Sequence, residues 1–395
     1  MTRVLYVVAG EPSGDHHAAT VMRELAALDP TVEFVGLGGS LMHSVPHAEG
    51  IRDWCDQAAV VGLWEVIKKY GYFRAEFARA LGEIRFTGPA AVLLVDYPGF
   101  NLRLAKALRR GGWTRPILYY ISPQVWAWNR GRIPKMAKLL DLMLCIFPFE
   151  QALYGKSGLR TEFVGHPMVD ALTARRTGEP RVSDLVALLP GSRRREVRKI
   201  FPPMLEAARQ LKITHPLLRF AAAAASAARV DEMRATRDAL GWGEAECAIT
   251  IGDAHRLMQI ATIGMVASGT ATVEAAYFGL PHLIAYRVAL LTYWVGRMVI
   301  RVDHLGMINL LAGREVVREF IQPECTPSAL ATEAARLLDE GAYRDAQVRS
   351  LAEVVATLGP GGAARRTAEA ILPWLQKAEQ TQKTEDRGQK PKRDR

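Results

Sequence analysis

Between Ala91 and Arg109 the chain reads AVLLVDYPGFNLRLAKALR. Five apolar residues in a row, Ala91–Val95, predict a short strand buried on both faces. A Pro-Gly turn follows, and Leu102–Arg109 then carries apolar residues at helical spacing. A doubly buried strand running straight into an amphipathic helix is the building unit of a parallel sheet covered by helices.

The same unit recurs in both directions along the chain. Upstream, Val4–Ala9 and Glu33–Leu37 read as strands, with His16–Leu28 as a helix between them. Downstream, Ile117–Ile121, Leu142–Ile146 and Glu162–Val164 complete a first series. A second series runs through Leu185–Leu189, Arg219–Ala223, Ala248–Ile251, Gly264–Ala267 and His282–Tyr286. The polar segment DALTARRTGEPRVS, Asp170–Ser183, separates the two. The expected organisation is therefore an α/β domain over residues 1–170 and a second over 184–358, and a chain of 395 residues has the length for both. Beyond the GPGG break at Gly359–Gly362, a helix is expected over 363–375. The tail, 376–395, is poor in apolar residues and is expected to be disordered.

Composition removes several classes. No run of about 18 uncharged apolar residues occurs, so no membrane span is expected. MTRVLYVVAGEPSGD at the start reads as a buried strand and turn, not as a secretory leader. Cys55, Cys145, Cys247 and Cys325 are scattered and suit neither a disulfide framework nor a zinc site; reduced cytoplasmic thiols are expected. The net charge of +10 points to anionic partners. The basic groups are not gathered in a recognisable nucleic-acid module, so nucleic acid is not the expected partner.

In open parallel sheets, ligands meet the carboxyl ends of the strands, so the residues just after each strand carry the chemistry. After the first strand come Gly10, Glu11, Pro12, Ser13, Gly14 and Asp15, where Ser13 or Asp15 serves as a helix cap or the turn meets an anion. This is not a G-x-G-x-x-G fingerprint. Asp96 follows VLLV directly, and partial desolvation there suits a general base; Asn101 is the expected cap of the next helix. Gln124, Trp126 and Trp128 follow the Ile117–Ile121 strand and suit either a sugar or acyl site or plain packing. His166 follows Glu162–Val164 and is either structural or a proton-transfer or phosphate group.

The second series offers different chemistry. Gly191, Ser192 and Arg193 open PGSRRREV and suit an anion; which of the three consecutive arginines acts stays open. Ser268, Gly269 and Thr270 precede a helix start and suit a diphosphate, and Glu274 lies one turn on, placed for ribose hydroxyls or simply near a helix N-terminus. There is neither a Walker A loop nor a D-x-D triplet, so no metal or cofactor is expected. A carboxylate half-site and a diphosphate half-site on two doubly wound domains suit a sugar-nucleotide glycosyltransferase.

Taken in order, AGEPSGD (Ala9–Asp15), SPQVWAW (Ser122–Trp128), FPFE (Phe147–Glu150), GHPMVD (Gly165–Asp170), LLPGSRRREV (Leu188–Val197), ASGTATVEA (Ala267–Ala275) and NLLAGREVV (Asn309–Val317) resemble the lipid-A-disaccharide synthases. The resemblance implies the GT-B fold, two Rossmann-like domains facing across a cleft, with the last helix crossing back to the first domain. It implies an inverting transfer from UDP-2,3-diacylglucosamine to 2,3-diacylglucosamine 1-phosphate (lipid X), giving the lipid A disaccharide 1-phosphate and UDP. By the same resemblance Asp96, Glu11 and His166 are catalytic. Gly191, Ser192, Arg193, Ser268, Gly269, Thr270 and Glu274 bind UDP, while Ser13, Gly14, Asp15, Gln124, Trp126 and Asn309 line the acceptor or inter-domain site. The family often has an acidic residue where this chain has Gly99, which leaves Asp96 as the sole carboxylate of its loop. Acylated substrates imply peripheral attachment to the cytoplasmic face of the inner membrane, weakening with salt; Ala59–Phe77 and Val288–Ile300 are the candidate segments. The oligomeric state stays open, with a homodimer as the candidate. Other readings on the same fold are a MurG-like transferase, a UDP-N-acetylglucosamine 2-epimerase, and a non-catalytic nucleotide-sugar or lipid binder.

Overall fold

The computed structural model describes residues 3–58, 70–287 and 304–388. The chain forms two compact units, one of Met1–Pro167 with Leu358–Arg395, the other of Met168–Thr357.

The first unit is built on a parallel sheet of β1 (Arg3–Ala9), β2 (Val32–Gly38), β3 (Gly50–Asp53), β4 (Ala91–Val95), β5 (Ile117–Tyr120), β6 (Leu142–Cys145) and β7 (Thr161–Phe163). Its strand order is β3-β2-β1-β4-β5-β6-β7. The second unit holds β8 (Val182–Leu189), β9 (Arg219–Ala224), β10 (Cys247–Ile251), β11 (Ala261–Ala267), β12 (His282–Tyr286) and β13 (Glu319–Ile321), in the order β10-β9-β8-β11-β12-β13. Both orders place the first strand of the series beside the fourth. That junction is the topological switch point of a doubly wound sheet, where a crevice opens beyond the strand ends.

The eleven expected strands are present, their ends shifted by at most three residues. The additional strands, β3 and β13, sit at sheet edges. Their sequences, GIRD and EFI, are too short to show a pattern. The central strands are as buried as their apolar runs require: every residue of β4 and β5 is buried. Helices cover both faces. The helix Pro12–Leu28 buries Ala18, Val21, Met22 and Leu25, at the expected 3.6-residue spacing.

The final helix, Ala363–Gly388, belongs to the first unit. It packs on Pro12–Leu28, with Arg365 and Glu24 paired at 3.4 Å. Arg366 fastens its start, donating to the carbonyls of Val164, Pro360 and Gly361 at 2.8–2.9 Å. The helix continues past Leu375 into the polar tail, whose Gln, Lys and Glu are good helix formers even without an apolar face. No helix among the described residues is long and apolar enough to cross a membrane.

Candidate functional site

In the first unit, β1 and β4 run in register up to Ala9 beside Val95. The chain therefore leaves both strands side by side, and Gly10 and Asp96 open the switch-point loops together. A Cβ on Gly10 would lie 2.3 Å from the Tyr97 ring, so only glycine admits that close approach.

Asp96 and Tyr97 both adopt left-handed backbone, with φ of +47° and +46°. Two such non-glycine residues in succession are strained, and strain of this kind gathers at functional sites. The Asp96 carbonyl is held by Asn101 Nδ2 at 2.8 Å and by the Tyr119 hydroxyl, while the Tyr97 N–H donates to the carboxylate. Burial, and then the nearby Glu11 carboxylate, raise the Asp96 carboxyl above its ordinary value. Asn101 does not cap the helix: the helix starts at Pro98, and the Asn101 amide instead pins Val95 and Asp96.

Glu11 is exposed at the N-cap of Pro12–Leu28, with no capping bond from its side chain. Ser13 is exposed and Gly14 buried. Neither Ser13 nor Asp15 caps this helix. Asp15 is buried inside it, and its carboxylate accepts the N–H groups of Gly39, Leu41 and Met42, fixing the turn after β2. His166 lies 5.1 Å, ring to ring, from Phe147. Burial, and secondarily His17, lower its pKa to about 4, so it is a neutral donor and acceptor at physiological pH. His17 is likewise lowered to about 4, by burial and then His16, and had no signal in the sequence reading.

Gln124 is exposed, whereas Trp126 is buried, donating through Nε1 to Glu150 at 2.9 Å. Glu150 is 1% exposed and also accepts from the Ser122 hydroxyl and the Phe147 N–H. Burial outweighs these bonds and pushes its carboxyl up to about 7. Between the ordinary Glu value and about 7, the folded state holds a proton that the unfolded chain has released. Glu150's contribution to stability therefore falls as pH rises through that interval and levels off above it, while the neutral His17 and His166 contribute the opposite slope below about pH 6.5. The Glu150→Gln variant should lose this slope, a difference of about 3 kcal/mol at most. Denaturant unfolding from about pH 5 to about pH 8 checks it. Its slope is the readout, because the variant's amide also places a new donor near Phe147 N–H; equal slopes for variant and parent would refute it.

In the second unit, β8 and β11 pair in register up to Leu189 beside Val266. The loops beyond them enclose a cavity of about 560 Å³. Gly191, Ser192 and Arg193 line it from one loop, Ser268, Gly269 and Thr270 from the other, and Glu274 from the helix Ala271–Tyr277. Gly191 has φ +99°, and a Cβ there would lie 2.6 Å from Glu196 Oε2. Glu196 accepts the Arg193 N–H at 3.2 Å and pairs with its guanidinium at 3.3 Å, leaving that side chain 83% exposed. Ala223–Ala225, the alanine run at the end of β9, forms another wall. Small side chains there keep the cavity open.

Sequence reasoning missed two residues here. Arg175 donates to His255 Nδ1 at 2.7 Å, and His255 Nε2 lies 3.2 Å from Glu274 Oε2. Arginine only donates, so Nδ1 accepts and Nε2 carries the proton that faces Glu274. Arg175, His255 and Glu274 all line the cavity. No local motif marks such a chain, because its members come from three separate segments.

Asn309 does not line the cavity. It is fully buried, donating to Val317 O and Glu319 and accepting from the N–H groups of Val316 and Val317. Glu319 in turn accepts the N–H groups of Leu305 and Gly306. Asn309 thus frames the segment whose Leu305 and Met307 do line the cavity.

A family model described as lipid-A-disaccharide synthetase matches residues 5–369. A lipid-A-disaccharide synthase from Geobacter sulfurreducens is 38% identical over 383 residues, covering 94% of this chain and 97% of the relative. One from Myxococcus xanthus is 39% identical over 382 residues, with coverage of 94% and 97%. Among solved structures, the UDP-GlcNAc 2-epimerase from Neisseria meningitidis bound to UDP-GlcNAc has a TM-score of 0.60 at 13% identity, covering 94% of this chain and all of that one. The calicheamicin glycosyltransferase CalG4 has a TM-score of 0.55 at 14% identity, covering 95% of this chain and 98% of that one. At such identities these structures establish the fold, GT-B, and no more. The family match runs through both switch-point sites, and with relatives of this identity over nearly the whole length it shows that the chain belongs to the lipid-A-disaccharide synthase family.

Proposed function

We propose that the chain transfers a 2,3-diacylglucosamine unit from its UDP derivative to the 6-hydroxyl of 2,3-diacylglucosamine 1-phosphate. Asp96 takes the hydroxyl proton, and the oxygen attacks the anomeric carbon of the α-linked donor. The bond from that carbon to the diphosphate breaks, giving the β-1,6-linked disaccharide 1-phosphate and UDP. A single displacement inverts the anomeric centre.

The cavity at the β8–β11 switch point is the observation that carries this reading. Its size is typical of a small-molecule site. Arg193 and the hydroxyls of Ser268 and Thr270 suit the departing diphosphate, and Glu274, oriented by His255, suits the ribose. Glu11 and His166 stand with Asp96 in the acceptor half. Gln124 and Ser13, both exposed, suit substrate contact; Asp15, Trp126 and Asn309 act through the backbone and side chains they hold.

Acylated substrates place the enzyme at the cytoplasmic face of the inner membrane, attached peripherally. Of the two candidate segments, 59–69 and 288–300 lie outside the described residues. In the remainder of the first, Tyr70 is 63% exposed, while Tyr72, Phe73 and Phe77 pack on the core of the first unit. The test of function is incubation with both substrates, following UDP and disaccharide phosphate. One UDP per disaccharide is expected. UDP release without acceptor would mean hydrolysis, and an epimerised sugar nucleotide would overturn the reading.

A further inference from the structure

A second cavity, of about 460 Å³, lies in the first unit between the helices Tyr70–Thr87 and Pro98–Arg110. Phe73, Phe77, Tyr97 and Phe100 form its walls, and Arg74 and Arg103 stand on its rim. None of its lining residues is acidic. The carboxylates of the Tyr70–Thr87 helix, Glu76 and Glu83, are engaged elsewhere by Arg52. Arg74 and Arg103 are exposed and have no hydrogen-bond or ion-pair partner among the described residues. An aromatic slot with two unpaired guanidinium groups at its mouth fits an anionic amphiphile: a hydrocarbon chain inside, a phosphate at the rim.

The cavity opens off the loop that presents Asp96, since Tyr97 and Gly99 are part of its lining. Resting on the function proposed above, we propose that it holds an acyl chain of the acceptor, with Arg74 and Arg103 on the acceptor's phosphate. The donor's phosphates are esterified within UDP and are accounted for by the other unit's cavity. The acceptor alone brings a phosphate monoester together with a chain. Gly99 then has a reason to lack a side chain. A Cβ there meets nothing within 4 Å, so the position is free for substrate instead of being filled by protein.

The test uses the full chain, with Arg74→Ala/Arg103→Ala and Gly99→Leu as variants; exposed arginines and an unobstructed Cβ position leave the fold intact. Two readouts are taken: KM for each substrate, and calorimetric binding of the acceptor without donor. Both use acceptors with and without phosphate and with shortened chains. In the double variant, acceptor KM and Kd should rise about tenfold or more, with the preference for the phosphorylated form abolished and donor KM unchanged. Gly99→Leu should weaken long-chain acceptors by about fourfold per displaced methylene and spare the shortest. A phosphate preference surviving in the double variant, or a rise in donor KM instead, would overturn the assignment. The binding arm separates the two proposals. Without any turnover, phosphate- and chain-dependent binding that the variants abolish would keep the pocket and remove the proposed reaction. Normal turnover with unmoved variants would remove the pocket alone.

Discussion

Asp96→Asn should lower kcat by about 10²–10⁴ while leaving UDP affinity unchanged, the loss expected when a general base is removed. The amide cannot take the hydroxyl proton, yet it matches the carboxylate in shape. The fold should survive the change, because asparagine is among the side chains that best tolerate the left-handed conformation found at residue 96. The contacts that hold the loop also survive: Asn101 and Tyr119 grip the backbone carbonyl of residue 96, not its side chain. Single-turnover kinetics and UDP titration check the result. A near-normal rate would remove Asp96 as the base.

The same residue should set the acid limb of the pH–rate profile. A base works only when deprotonated, so kcat/KM falls as pH drops through its pKa. Burial and then Glu11 raise that pKa, so the limb should lie above the ordinary carboxylate range. Removing the Glu11 charge with Glu11→Gln should move the limb to lower pH, and burial should keep it from returning fully.

The central strands were legible because their residues are buried on both faces and therefore uniformly apolar, as in Ala91–Val95; the strand orders that make the switch points were not, since pairing is set by tertiary contacts. The residues after those strands are the expected place for chemistry whatever their identity, which is why Asp96 and Gly191–Arg193 stand out in the sequence as candidates. The edge strands Gly50–Asp53 and Glu319–Ile321 were not legible, since so few residues have no period to read. Side-chain partners were also out of reach. Asp15 and Asn309 look like site residues in a motif, but their polar atoms are taken up by N–H and C=O groups brought near only by folding. Conversely His255 and Arg175 carry no motif and yet stand in the cavity. A motif marks where a residue matters; only the tertiary contacts decide whether it matters by touching a ligand or by holding its neighbour.

The structure also separates the three consecutive arginines, among which the loop pattern alone made no choice and the family resemblance named Arg193. Arg193 lines the cavity. Arg194 turns to Glu232, at 3.4 Å, alongside Arg198. Arg195 does not line the cavity. Arg193→Ala should therefore lower kcat by about 10²–10³, the usual loss when one preorganised group is taken from a developing anion. Arg194→Ala and Arg195→Ala should leave kcat within about twofold, since exposed pairs contribute little. Arg193 rests against Glu196 in an exposed pair, and such pairs are weak enough for a diphosphate to draw the guanidinium away. The helix start should survive the alanine change, because Glu196 accepts the backbone N–H of residue 193, which alanine keeps. Arg193→Lys should recover only part of the rate: an ammonium supplies the charge but not the planar fork that meets two phosphate oxygens at once. On the proposed reaction, this side chain should meet much of the charge that the leaving group develops. Measuring kcat across the three alanine variants decides the matter, and an unaffected Arg193→Ala, or a larger loss at Arg194 or Arg195, would move the role to a different group.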